Sequence, residues 1–115
     1  MRAILIDPFK QEVKEINLDK ENLLQELYNT IGCSCVEKVY IARSIDIIVD
    51  EEGLYKETPA FQFGPQMILH GRAVIVNVDR EEGEWIDTDV SVESVEKITT
   101  HIPTELAQAM KQNVL

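Results

Sequence analysis

Apolar and polar positions alternate with a period of two over several short stretches of the 115-residue chain. Such alternation is typical of β-strands that are buried on one face, and turn-forming residues bound most of these stretches. We therefore predict strands over residues 2–6, 11–17, 36–41, 45–49, 54–57, 72–78 and 84–87. The stretch 72–78 is apolar on both faces, which indicates a central strand that is covered on both sides.

Turn-forming residues show how these strands are joined. The sequence Asp7-Pro8 predicts a tight turn that closes an opening hairpin, because proline presets φ at the second turn position. The run Asp50–Gly53 predicts a second turn, with the glycine at a position of positive φ. The stretch Thr58–Met67 contains two prolines and a glycine, and we expect a loop there that carries function.

Three further stretches have apolar residues at helical spacing. The first begins at the capping residue Asp19 and ends at Gly32, and the others begin near Ser91 and Pro103. The predicted class is α+β: an antiparallel sheet of about five to seven short strands, with one helix after the opening hairpin and C-terminal helices packed on it. The length fits a single domain over 1–115, with 91–115 as a C-terminal helical extension.

The formal net charge is −10, and seven of these ten units lie in the stretch 79–96. Such a charge argues against direct binding to nucleic-acid phosphates or to anionic membranes. No apolar run is long enough to span a bilayer, and the start of the chain lacks the pattern of a signal peptide. We therefore expect a cytoplasmic protein without a membrane partner.

The acidic stretch has two interpretations. It keeps the protein in solution, or it imitates a phosphate backbone and docks onto a basic partner. Its only tryptophan is either an anchor within an acidic rim or part of the core. The candidate partner-binding residues are Glu81, Glu82, Glu84, Trp85, Asp87 and Asp89.

Motifs for catalysis are absent from the sequence. It contains no glycine-rich phosphate loop, no GxSxG and no HExxH. Cys33 and Cys35 are too close together for an unstrained disulfide, and a metal site built on them would need distant partners such as His70 and His101. The acids of Asp46–Glu52 lack the spacing of a calcium loop. We predict no catalytic residue, no metal and no cofactor.

Basic and aromatic residues outside the acidic stretch are candidates for a ligand site. Arginine binds phosphate or carboxylate through its fork of donors, and an aromatic ring stacks on a planar ligand. The alternative is that the two phenylalanines lie in the core and the histidine is an ordinary strand-edge residue. The candidate ligand-binding residues are Arg43, Tyr55, Phe61, Phe63, His70 and Arg72.

Several segments, taken in order, resemble a known family. They are Ile31-Gly32, 36–39, 45–54 with its Asp-Glu-Glu-Gly-Leu turn, Pro59, and 68–76 with Gly71. Together they are similar, over residues 2–87, to a short phage- and plasmid-borne domain of unknown function, family three-eight-four-six. The resemblance implies a mobile-element context, and it supplies no catalytic residues.

The leading hypothesis is a small, non-enzymatic binding protein of phage or mobile-element type. It would sequester a nucleotide-like small anionic ligand or a host factor in counter-defence, and exposed strand edges favour a homo-oligomer. The alternative hypothesis is an acidic protein–protein inhibitor or DNA mimic that uses residues 79–96.

Overall fold

The computed structural model of the protein describes residues 1–114 and confirms the α+β class. The helices are α1 (Leu23–Ile31), α2 (Val92–Ile98) and α3 (Thr104–Val114). The strands are β1 (Arg2–Asp7), β2 (Glu12–Asn17), β3 (Val36–Ala42), β4 (Ile45–Asp50), β5 (Ala60–Phe63), β6 (Met67–His70), β7 (Ala73–Asp79), β8 (Glu84–Ile86) and β9 (Thr99–Ile102). Within the described range, no helix is both long and apolar enough to cross a membrane.

Two antiparallel sheets contain all nine strands. The large sheet has the order β2-β1-β7-β4-β3, and β8 pairs with the far end of β7. The small sheet has the order β6-β5-β9. The central position of β7 confirms the prediction for 72–78, since β7 pairs with both β1 and β4 along its buried half.

Alternate residues of β7 face two different hydrophobic cores. Ile75 packs with residues of the small sheet such as Phe61, whereas Val74 and Val76 pack against Leu27 of α1. All five side chains are essentially fully buried. Burying a side chain of this kind contributes roughly 1.5–3 kcal/mol. The layers therefore run from α1 through the large sheet to the small sheet.

Helix α3 forms the outermost layer, on the far face of the small sheet. Its Ala107 packs against Ala60 of β5 and Ile102 of β9, and Met110 joins the edge of this cluster. The cluster is small, because only three of its residues are fully buried. As a result, α3 covers the small sheet only in part.

The central strand of the small sheet, β5, lies where the sequence predicted a loop. Residues 60–63 form β5, and the two prolines that suggested a loop lie just outside it, at positions 59 and 65. There they leave the strand's own backbone donors in place, so the strand pairs on both sides. The predicted strand at 54–57 is also wrong, since Gly53–Tyr55 is a single 3₁₀ turn.

The segment 91–115 is more than a helical extension. Between its two helices lies β9, which pairs with β5, and Val95 of α2 is buried in the core between the sheets. Residues 92–102 are thus an integral part of the domain.

Gly53 is required for close approach rather than for positive φ, which is a correction to the predicted turn. A Cβ atom at Gly53 would lie 2.7 Å from the backbone oxygen of His70, and Gly53 is not among the glycines with positive φ. Real Cβ atoms do not approach a carbonyl oxygen this closely. The absent side chain therefore lets the 3₁₀ turn lie directly against the end of β6.

We expect Gly53→Ala to lower the free energy of unfolding by about 1–3 kcal/mol, since the added methyl group must push two backbones apart. Leu54→Ala is the control, because Leu54 is next in the chain and its side chain is exposed. Chemical denaturation of the two variants measures the difference. Equal stability of Gly53→Ala and the parent protein would contradict the assigned contact.

Candidate functional site

A cavity of about 340 Å³ lies between the outer face of the small sheet and α3. The sheet forms its floor, α3 forms one wall and the 3₁₀ turn at 53–55 forms the other. Its lining residues are Leu54, Tyr55, Ala60, Ile68, His70, Ala107, Met110 and Lys111. Six of these eight side chains are aliphatic or aromatic, so the cavity is mainly apolar.

The alternation of the two strands explains which side chains reach the cavity. In β5, Phe61 points into the core between the sheets, and its neighbour Ala60 therefore points to the other face. In β6, Leu69 packs against the same core, so Ile68 and His70 face α3. Because Ala60 is small, it leaves space above the sheet that a larger residue would fill.

Lys111 provides the positive charge at the cavity. Its Nζ atom donates a hydrogen bond of 2.8 Å to the backbone oxygen of Lys56, and Gln108 donates to the same oxygen at 3.4 Å. These bonds attach α3 to the chain just after the 3₁₀ turn. Burial lowers the pKa of Lys111 below its usual value of 10.5. A partly desolvated ammonium group of this kind interacts strongly with an anion.

His70 is the second polar group of the cavity. Its Nδ1 atom is buried and has no hydrogen-bond partner within residues 1–114. Burial lowers the pKa of His70 below 6.5, and the nearby charge of Lys111 lowers it further. The imidazole is therefore harder to protonate than that of a solvent-exposed histidine. A buried nitrogen without a partner favours an ordered water that completes the hydrogen bond.

Exposed apolar side chains surround the cavity opening. The side chain of Tyr55 is 86% exposed, and those of Leu54 and Ile68 are also exposed. Apolar residues that cluster at the surface mark binding sites more often than singly scattered ones do. The rim is therefore suited to an apolar ligand that extends out of the cavity.

The structure brings together only two of the six candidate ligand-binding residues. Tyr55 and His70 both line the cavity. Phe61 and Phe63 are buried between the sheets, so neither ring is available to stack on a ligand. The loop that the sequence predicted for them is wrong, because Ala-Phe-Gln-Phe alternates as a strand and directs both rings inward. The alternative interpretation, that both phenylalanines lie in the core, is confirmed.

Arg72 has a structural role. Its Nε atom lies 3.2 Å from Oδ2 of Asp7, which is almost fully buried, and its guanidinium stacks 4.4 Å from the centre of the Phe9 ring. The other oxygen of Asp7 accepts from the backbone N–H groups of Phe9 and Lys10. Arg72 thus joins the opening turn to the start of β7.

Arg43 lies at the opposite end of β7 from Arg72. It belongs to the turn between β3 and β4, where Ile45 pairs with Asn77, whereas Arg72 precedes Ala73, which pairs with Val49. At about 3.3 Å per residue, four strand positions already separate these pairs by about 13 Å. The two arginines therefore do not form the predicted anion site.

Two of the five acidic candidate residues accept hydrogen bonds from other segments of the chain. Asp87 accepts from the backbone N–H of Arg2 at 2.9 Å, and Asp89 accepts from the side-chain amide of Asn77 at 3.1 Å. The other acids of the set lie around the turn between β7 and β8: Glu81, Glu82 and Glu84. All five acids are exposed, so their surface remains accessible to a basic partner.

Sequence reasoning missed Lys111 and Ile68 as site residues. The wall formed by α3 could have been predicted in part, since Ala107 and Met110 share the apolar face of the last predicted helix. Lys111 follows on the same side of that helix. Among the described residues, no group of three His, Cys, Asp or Glu side chains is placed to hold a metal ion, and both cysteines are free.

Fold and site together define a small two-sheet α+β domain with one apolar, ligand-sized cavity. The chain matches the family described as Domain of unknown function (DUF3846) over residues 1–102, and it belongs to that family. No curated protein and no solved structure matches it. The family match covers more than the expected 2–87 and includes α2 and β9, whereas α3 lies beyond it.

We expect Arg72→Ala to lower the free energy of unfolding by about 1–3 kcal/mol, because the buried carboxylate of Asp7 loses its charged partner. Arg43→Ala removes the same side chain from an exposed turn and should change stability by less than about 0.5 kcal/mol. Thermal or urea unfolding of both variants tests this pair. An equal loss of unfolding free energy in the two variants would contradict the structural role assigned to Arg72.

The two histidines predict how stability depends on pH. Burial lowers the pKa of both His70 and His101 below the unfolded value of 6.5. As the pH falls below 6.5, the unfolded state therefore binds more protons than the folded state, and the free energy of unfolding decreases. Urea unfolding between pH 7 and 5.5 should show this decrease. The loss should be smaller in His70→Gln and smallest in the His70→Gln/His101→Gln variant; an identical slope in all three proteins would contradict the assignment.

Proposed function

We propose that the protein is a non-enzymatic binding protein that holds a small ligand in the cavity between the small sheet and α3. The observation that carries this proposal is the pair of polar groups in an otherwise apolar cavity. Lys111 supplies a positive charge, and the Nδ1 atom of His70 is buried without a partner. Few polar groups that fix the orientation of a ligand within an apolar lining are typical of small-molecule sites.

The lining indicates the chemistry of the ligand. An apolar body would pack against Ala60, Ile68 and Met110, and one anionic group would accept hydrogen bonds from Lys111. The volume of about 340 Å³ is at the small end of the range for ligand sites. A single lysine favours a monoanion such as a carboxylate over a nucleotide with several charges.

The proposed role is sequestration. Without catalytic groups, a binding protein acts by lowering the free concentration of its ligand. In a mobile-element context, such removal of a host signal or host factor would serve counter-defence. The acidic inhibitor alternative has less support, because Asp87 and Asp89, although exposed, also accept hydrogen bonds from Arg2 and Asn77 within the chain.

Isothermal titration calorimetry with octanoate, and with octanol as its uncharged analogue, tests the proposal. We expect saturable binding of octanoate with one site per chain. Lys111→Met should weaken octanoate binding about tenfold, as expected for the loss of one charge-assisted hydrogen bond, and should leave octanol binding unchanged. Lys97→Met is the control, because Lys97 is an exposed lysine of α2 outside the cavity.

A second pair of variants tests the location of the site. Ile68→Trp places a bulky ring at the cavity opening and should abolish octanoate binding, whereas Ile98→Trp adds the same ring at an exposed position away from the cavity. Equal binding by both tryptophan variants would place any ligand elsewhere. Absence of saturable binding with carboxylates from butanoate to dodecanoate would reject the ligand class.

A further inference from the structure

A second concave surface lies on the opposite side of the large sheet, next to the start of α1. This cleft has a volume of about 580 Å³. Its lining residues are Lys20, Leu23, Lys38, Gly83, Glu84 and Trp85. The cleft shares no residue with the cavity under α3, and the large sheet separates the two. An inference about it is therefore independent of the function proposed above.

Trp85 is held firmly at the wall of the cleft. Its Nε1 atom donates a hydrogen bond of 3.1 Å to Oδ2 of Asp46, a carboxylate that is itself only 5% exposed. Part of the indole packs against the core beside α1, and the rest remains accessible. Tyr40 is directly opposite Asp46 in the register of β3 and β4, and it is 69% exposed. An indole ring that is fixed but partly open is suited to stacking.

Lys20 and Lys38 provide positive charge at the same cleft. Both lysines are exposed, and neither takes part in any ion pair within residues 1–114. The cleft therefore carries two lysines without an ion-pair partner in that range, on a chain with a net charge of −10. Glu84 is the one acidic residue of the lining, and it is exposed.

We infer that this cleft binds a nucleoside monophosphate. The base would stack on the indole of Trp85, and the phosphate would accept hydrogen bonds from Lys20 and Lys38. The carboxylate of Glu84 would accept from the ribose hydroxyls, which are donors, while the lysines offset its charge. A polynucleotide is disfavoured, because the surrounding acidic surface repels a long polyanion.

The single tryptophan makes the test direct, since all indole fluorescence comes from Trp85. We expect AMP to quench this fluorescence in a saturable way, with a Kd of about 1 mM or lower. Adenosine, which lacks the phosphate, should require at least about tenfold higher concentrations, because it cannot engage the lysines. Raising the salt concentration should weaken AMP binding but not adenosine binding.

Charge-matched variants provide the control. Lys20→Gln/Lys38→Gln should weaken AMP binding at least about tenfold, whereas Lys10→Gln/Lys97→Gln changes the net charge equally at exposed positions away from the cleft and should have no effect. Equal weakening in both double variants would overturn the site and indicate a general charge effect. Quenching by AMP that never saturates, or tighter binding of a short single-stranded oligonucleotide than of AMP, would also overturn it. Octanoate should not quench Trp85, so failure here is distinct from failure of the cavity proposal.

Discussion

Burial of β7 on both faces is the constraint on which the rest of the structure depends. A strand with Val74, Ile75 and Val76 in succession exposes apolar side chains to two sides at once, and each side needs a cover. Helix α1 covers one side and the small sheet covers the other. The small sheet then has an outer face of its own, which α3 covers only in part. The cavity is the space that this incomplete third layer leaves.

The sequence predicted the elements whose pattern is local. The opening hairpin, β7, and α1 with its end at Gly32 follow from local patterns, and the structure confirms them. The predicted helix start is wrong, because Asp19 caps a 3₁₀ turn over Lys20–Asn22 that precedes α1. The sequence-based prediction was wrong at β5. This strand has only four residues and lies between two prolines, and turn-forming residues dominate so short a stretch. The spacing of two between Phe61 and Phe63 is compatible with a strand. That strand, however, forms by pairing with β9, which lies almost forty residues away in the sequence.

The candidate sites were harder to predict for a related reason. Residue types suggest chemistry, but a site requires that their side chains meet. Arg43 and Arg72 are both arginines beside predicted strands, yet they lie at opposite ends of β7. His70 and Lys111 are forty-one residues apart in sequence and meet only because α3 folds back over β6. No periodicity or residue spacing in the sequence predicts that α3 packs over β6.

The distribution of charge follows from the same architecture. The acidic stretch contributes most of the net charge, but Asp87 and Asp89 act as hydrogen-bond acceptors that attach the segment after β8 to Arg2 and Asn77. These two carboxylates therefore help to hold the segment in place. A strongly acidic composition need not mean an acidic binding surface. The remaining acids of the stretch lie around the turn between β7 and β8 and on α2, while Lys111 and the pair Lys20 and Lys38 lie at separate concave surfaces. Since these two surfaces are on opposite sides of β7, an acidic protein of this size can place lysines at two concave surfaces of different character that share no residue.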